Sequence, residues 1–123
     1  MVFSGLSEER SYVTQLDDNG KYIVTFDPLD GSSIIDTNNT IGSIFAIWPK
    51  GDLNTMTGRD IVGGALALYG SRTNILIFNH ETETVDEATL QLIDGDLKWI
   101  FSGKDLRIKT EGKYFSPGNT RSI

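Results

Sequence analysis

The chain has 123 residues, one domain's worth of sequence with room for a modest core, and its net charge of −6 without any basic run argues against a nucleic-acid or anionic-membrane partner. The absence of cysteine excludes a disulfide framework, a thiolate zinc site and a cysteine nucleophile. No apolar run approaches membrane-spanning length and no signal peptide opens the sequence, so a soluble, cytoplasmic protein is the expectation.

Residues 1–9 read as a short apolar segment that delivers Ser7-Glu8-Glu9, and 10–20 as a polar loop with an acidic Asp17-Asp18-Asn19-Gly20 turn. Lys21 to Phe26 alternates and is β-branched, which predicts a strand ending just before Asp27. Ile34 to Asn39 reads as a turn or one helical turn, and Ile41 to Trp48 as an apolar buried strand ended by Pro49-Lys50-Gly51-Asp52. Thr57 is placed to cap a helix over about 58–69, with Arg59 and Asp60 in its first turn, Ile61, Ala65 and Leu68 facing inward, and Gly70 as its stop. Gly63-Gly64 lowers helix propensity there, and close packing of the helix on a sheet is the expected reason.

Arg72 to Phe78 reads as a further buried strand, and Asn79 to Thr82 as a polar loop that places His80, the single histidine, on the surface. Ala88 to Lys98 carries two alternating runs around Asp94-Gly95, the signal of a hairpin with a primed turn. Two short extended segments, about 106–110 and 113–116, complete the set. The pattern is α+β: a mixed, largely antiparallel sheet with one principal helix. Taken alone, such a sheet lacks cover on its other face and is expected to be sticky.

Chemistry is concentrated in Phe26-Asp27-Pro28-Leu29-Asp30-Gly31-Ser32-Ser33. With a strand ending before them, Asp27 and Asp30 stand one tight turn apart and point hard oxygen ligands toward one site suited to Mg²⁺ or Mn²⁺. Pro28 fixes its own φ and biases Asp27 toward an extended conformation, which presets the turn and leaves the Leu29 carbonyl as a further ligand. Gly31 lets a ligand approach the main chain, and the N–H groups and hydroxyls of Ser32 and Ser33 face a phosphate at the start of a helical turn. Asp-Pro, Asp-Gly and Ser-Ser are also ordinary turn formers, and Ser-Glu-Glu is an ordinary solvated turn.

The octet, with Ser7-Glu8-Glu9 upstream, resembles the metal-binding signature of the sugar bisphosphatases, the fructose-1,6-bisphosphatase and sedoheptulose-1,7-bisphosphatase family. The resemblance continues through Ile44-Phe45, Gly58-Arg59, Ala67-Leu68-Tyr69-Gly70 and Phe115-Ser116-Pro117-Gly118-Asn119. Ile35-Asp36-Thr37-Asn38, Trp48-Pro49 and Ser116-Pro117-Gly118-Asn119 resemble the sedoheptulose branch more closely.

The resemblance implies a Mg²⁺-dependent hydrolase (Mn²⁺ serving in its place) that removes the 1-phosphate of a ketose bisphosphate by direct attack of water on phosphorus. It makes Glu8, Asp27 and Asp30 side-chain metal ligands, adds the Leu29 carbonyl, and pairs Glu9 with an upstream aspartate to orient or deprotonate the water. Asp30, Gly31, Ser32 and Ser33 become the cradle of the scissile phosphate, and Asn119 a contact to the sugar or its distal phosphate. Lys21-Tyr22 matches a pair that binds AMP in the fructose enzymes, but Pro49 replaces an expected arginine, which argues against AMP control.

The resemblance also implies a homodimer or homotetramer at full length. The chain reads as residues 1–123 of the central portion of the family's N-terminal domain, without its N-terminal helices or the C-terminal domain. A plastid or other organelle is the alternative location if an upstream transit peptide is missing. Two rival functions stay open: a monophosphatase of the inositol type, and a non-catalytic remnant that binds metal or sugar phosphate.

Overall fold

Alternating and β-branched runs joined by Gly- and Asp-containing turns give this chain strands almost throughout. The computed structural model describes residues 1–113. Its strands are β1 (Val2–Ser7), β2 (Thr14–Gln15), β3 (Tyr22–Asp30), β4 (Ile41–Pro49), β5 (Gly63–Tyr69), β6 (Thr73–Asn79), β7 (Thr84–Ile93) and β8 (Asp96–Leu106). They form one eight-stranded sheet in the order β2-β1-β3-β4-β5-β6-β7-β8. β1 runs parallel to β3 and every other neighbouring pair is antiparallel, so the expected mixed, largely antiparallel sheet is what the chain forms.

The expected principal helix is not there. Thr57 does cap a turn, with a full capping box to Asp60, but the helical part is the 3-10 stretch Gly58–Asp60, and Gly63–Tyr69 is β5. The physical reason is visible in Gly-Gly-Ala-Leu-Ala-Leu-Tyr. Ala and Leu favour helix locally, yet the run also alternates with period two, and full ladders to β4 on one side and β6 on the other decide for strand.

Three boundaries also move. β3 does not stop before Asp27 but runs on to Asp30, because a bulge accommodates Pro28 within the strand. The 10–20 loop contains the two-residue strand β2, paired to Ser4 and Gly5 of β1. Residues 107–110, expected to be extended, add no strand after Leu106, and the 113–116 segment lies outside the described residues apart from Lys113. Ile34 to Asn39 does carry its helical turn, within the 3-10 stretch Ser32–Thr37. At the 94–95 hairpin Asp94 (φ 54°) and Gly95 (φ 87°) are both left-handed, as a type I′ turn demands.

The sheet is thinly covered. Among the described residues Ile23, 3% exposed, is the one apolar side chain counted as buried, and Phe26 stacks on Phe45 across β3 and β4 with ring centres 6.0 Å apart. Because β1 and β3 are parallel in neighbouring positions, their C-terminal ends emerge side by side at one end of the sheet, Ser7 opposite Phe26. That end holds the candidate site.

Candidate active site

Parallel pairing delivers the first carboxylate. Just beyond β1, the Glu8 N–H donates to the Phe26 carbonyl at 2.9 Å, which carries the β1–β3 alignment one residue past the strand and sets Glu8 beside Asp27. Glu8 and Asp27 line one open cleft of about 450 Å³ together with Arg10, Ser11, Thr25 and Ile44. Thr25 is held there by the Trp48 indole N–H, which donates to its hydroxyl at 2.9 Å.

The second carboxylate needs the bulge. Residues three apart in a regular strand point to opposite faces, so an unbroken β3 would turn Asp30 away from Asp27. In the structure Asp27 pairs with Ile44 and Asp30 with Gly42, and the two residues Pro28 and Leu29 face the single Ser43. The extra residue restores parity: Gly42 and Ile44 share a face, so Asp30 returns to the face of Asp27. This replaces the expected tight turn between the two aspartates. The bulge is compatible with proline because β1 is no longer paired beyond Phe26, so the missing Pro28 N–H breaks no second ladder.

The backbone groups freed by the bulge are satisfied locally. The Leu29 N–H donates to Asp27 Oδ1 at 2.9 Å, and the Pro28 carbonyl accepts from Ser43 Oγ at 2.7 Å. Asp27 thus commits one carboxylate oxygen to its own backbone. Gly31 follows at φ 88°, a left-handed geometry that reverses the chain into the 3-10 turn beginning at Ser32. Gly31 offers no side-chain cap, so the first-turn N–H groups of Ser32 and Ser33 carry none, and both residues are exposed.

The structure does not bring every expected residue together. Glu9 lines a second cleft, of about 410 Å³, with Gly5, Tyr12, Phe26 and Pro28 on the Phe26 side of the sheet. Asp30 shares the face of Asp27 but does not line the Glu8–Asp27 cleft itself. Asn119 lies outside the described residues. Among the described residues no three acidic or imidazole groups converge closely enough to enclose a metal.

The donors fit Mg²⁺ or Mn²⁺ in kind: all are hard oxygens, and Mg²⁺ is commonly held by one or two carboxylates with water and phosphate completing the shell. Ser43 and Arg10 were not singled out in the sequence, and Tyr69 figured there only within Ala67-Leu68-Tyr69-Gly70. A serine inside the apolar run Ile-Gly-Ser-Ile-Phe was the available signal for the first of them.

Residues 1–102 match the family described as fructose-1-6-bisphosphatase, N-terminal domain. The chain belongs to the fructose-1,6-bisphosphatase family. Relatives within it include the chloroplastic sedoheptulose-1,7-bisphosphatase of Triticum aestivum, 42% identical over 109 residues that cover 84% of this chain and 25% of the relative. Fructose-1,6-bisphosphatase isozyme 2 of Rattus norvegicus is 40% identical over 121 residues, covering 90% of this chain and 34% of the relative. The crystal structure of Leishmania major fructose-1,6-bisphosphatase in its T-state superposes with a TM-score of 0.76 at 28% identity, over 90% of this chain and 38% of that one. The chain therefore spans about a quarter to a third of the length of these curated relatives.

Proposed function

We propose that this chain carries the metal- and phosphate-binding strand end of a Mg²⁺-dependent sugar bisphosphatase, which removes the 1-phosphate of sedoheptulose 1,7-bisphosphate in preference to fructose 1,6-bisphosphate. The observation that carries this reading is the β3 bulge, which returns Asp30 to the face of Asp27 next to Glu8. The names of the relatives give the substrate class, and the sedoheptulose-like residues around Asp36, Pro49 and Pro117 give the preference.

In this reading Glu8, Asp27, Asp30 and the Leu29 carbonyl hold the ion. When bound, Mg²⁺ supplies charge neutralisation at the phosphoryl oxygens and the leaving alkoxide and lowers the pKa of the attacking water. The main chain from Gly31 to Ser33 and the two serine hydroxyls orient the phosphate, and Asn119 is assigned a contact to the sugar or its distal phosphate. Glu9, which lines the adjoining cleft, keeps its proposed role of orienting or deprotonating the water. Measuring phosphate release from both sugars, with Mg²⁺, on a full-length protein carrying this sequence tests the reading. No release from either sugar overturns it.

A second reading applies to the isolated 123 residues, because the carboxylates described do not enclose a metal by themselves. Alone, the chain binds Mg²⁺ weakly and does not hydrolyse.

A further inference from the structure

A bulge is a register error unless something fixes it. If the extra residue slid along β3 by one position, Asp27 or Asp30 would turn to the opposite face and the carboxylate set would come apart. Pro28 has no N–H with which to lock its own position, and the Leu29 N–H is committed to Asp27, whose side chain is one of those being positioned. The anchor must come from across the ladder.

Ser43 is the residue opposite the bulge, and it is 5% exposed. Its Oγ lies 2.7 Å from the Pro28 carbonyl and 3.0 Å from the Tyr69 hydroxyl. A carbonyl only accepts, so the single Ser43 proton is committed to Pro28, and Tyr69 must be the donor to Ser43 Oγ. The result is a directed relay, Tyr69 O–H to Ser43 O–H to Pro28 C=O, that ties β5, β4 and the bulge of β3 together. Ser43 lines neither cleft, so it works through Pro28 rather than on a ligand.

We propose that Ser43, oriented by Tyr69, is the positioning residue that pins the Asp27–Asp30 bulge and thereby sets the face and separation of the carboxylate pair; its effect on metal binding rests on the reading of that pair as metal ligands. Truncating Ser43 removes its hydroxyl's bond to the Pro28 carbonyl, while the ladders on either side of the bulge stay intact. The damage is therefore local. Threonine, which keeps the hydroxyl and suits a strand, substitutes for it.

The test compares the chain with its Ser43→Ala, Ser43→Thr and Tyr69→Phe variants. The first readout needs no metal: amide hydrogen exchange at Leu29, whose N–H reports whether Asp27 still caps the bulge, against β5–β6 ladder amides as internal reference. Ser43→Ala is expected to speed Leu29 exchange about fivefold to tenfold relative to the reference, the loss of one hydrogen bond. Tyr69→Phe gives a smaller increase, and Ser43→Thr restores protection. The second readout is Mg²⁺ affinity by calorimetry, expected to fall on the order of tenfold in Ser43→Ala and to recover in Ser43→Thr.

Unchanged Leu29 exchange in Ser43→Ala, or a rise shared equally by the β5–β6 amides, overturns the proposal, since the hydroxyl would then be idle or merely structural. If the unaltered chain shows no Mg²⁺ affinity, the ligand reading fails for it separately, and the exchange comparison still decides the role of Ser43.

Discussion

Asp27 combines two tasks that substitutions separate. One carboxylate oxygen accepts the Leu29 N–H at 2.9 Å and so belongs to the bulge, while the side chain also lines the cleft with Glu8. Asparagine keeps an oxygen acceptor and the Asx geometry but removes the charge. Asp27→Asn is therefore expected to abolish Mg²⁺ binding with less than about 0.5 kcal/mol of lost stability. Asp27→Ala loses the metal and about 1 kcal/mol as well, because the Leu29 N–H is left without its partner. Calorimetric Mg²⁺ titration beside denaturant unfolding checks both, and equal destabilisation by the two variants would show that the acceptor oxygen is not what holds the bulge. At this scale the octet was legible as a cluster, because it gathers two carboxylates, a fixed φ at Pro28 and a left-handed φ at Gly31 within eight residues. Ser43 and Tyr69 were not, because their task depends on a register linking positions 15 and 26 residues apart.

Among the elements, strands with clean alternation and the Asp94-Gly95 hairpin were readable, and residues 58–69 were not. The start signal there was genuine: Thr57 caps, and Asp60 reaches back to it. What local sequence could not supply was the pair of neighbouring strands that convert Gly63–Tyr69 from a plausible helix into β5. The turn itself has a pH signature. Hydrogen bonds from the Thr57 N–H at 2.7 Å, and then from its hydroxyl at 3.0 Å, hold the Asp60 carboxyl below its ordinary value. A group whose folded pKa is depressed adds stability above its unfolded pKa and loses it as pH falls through the folded one. The Thr57 amide shift should accordingly stay constant at neutral pH and move only in acid, as Asp60 protonates, with a midpoint below that of an unstructured aspartate. In Asp60→Asn the same titration should be flat; an unaltered midpoint at the ordinary value would remove the capping box from solution.

At the scale of the whole molecule, one sheet has two faces and this chain covers neither well. Phe101, Leu92 and Leu97 are 73%, 71% and 69% exposed. The stickiness expected from the sequence thus has named carriers, but its form depends on whether faces or edges are exposed. The edges are poor templates: β2 is two residues long, and β8 is paired to β7 through two register shifts and carries Asp105 at φ 53°, the irregularities that discourage strand addition. Association should therefore run through the apolar faces. The isolated chain is expected to bind a hydrophobic dye, unfold over a broad range, and form assemblies that mild detergent disperses and that leave an amyloid dye dark. A sharp unfolding transition in a monomer without dye binding would mean the faces are covered, and an amyloid-dye signal would mean that β8 pairs despite its bulges.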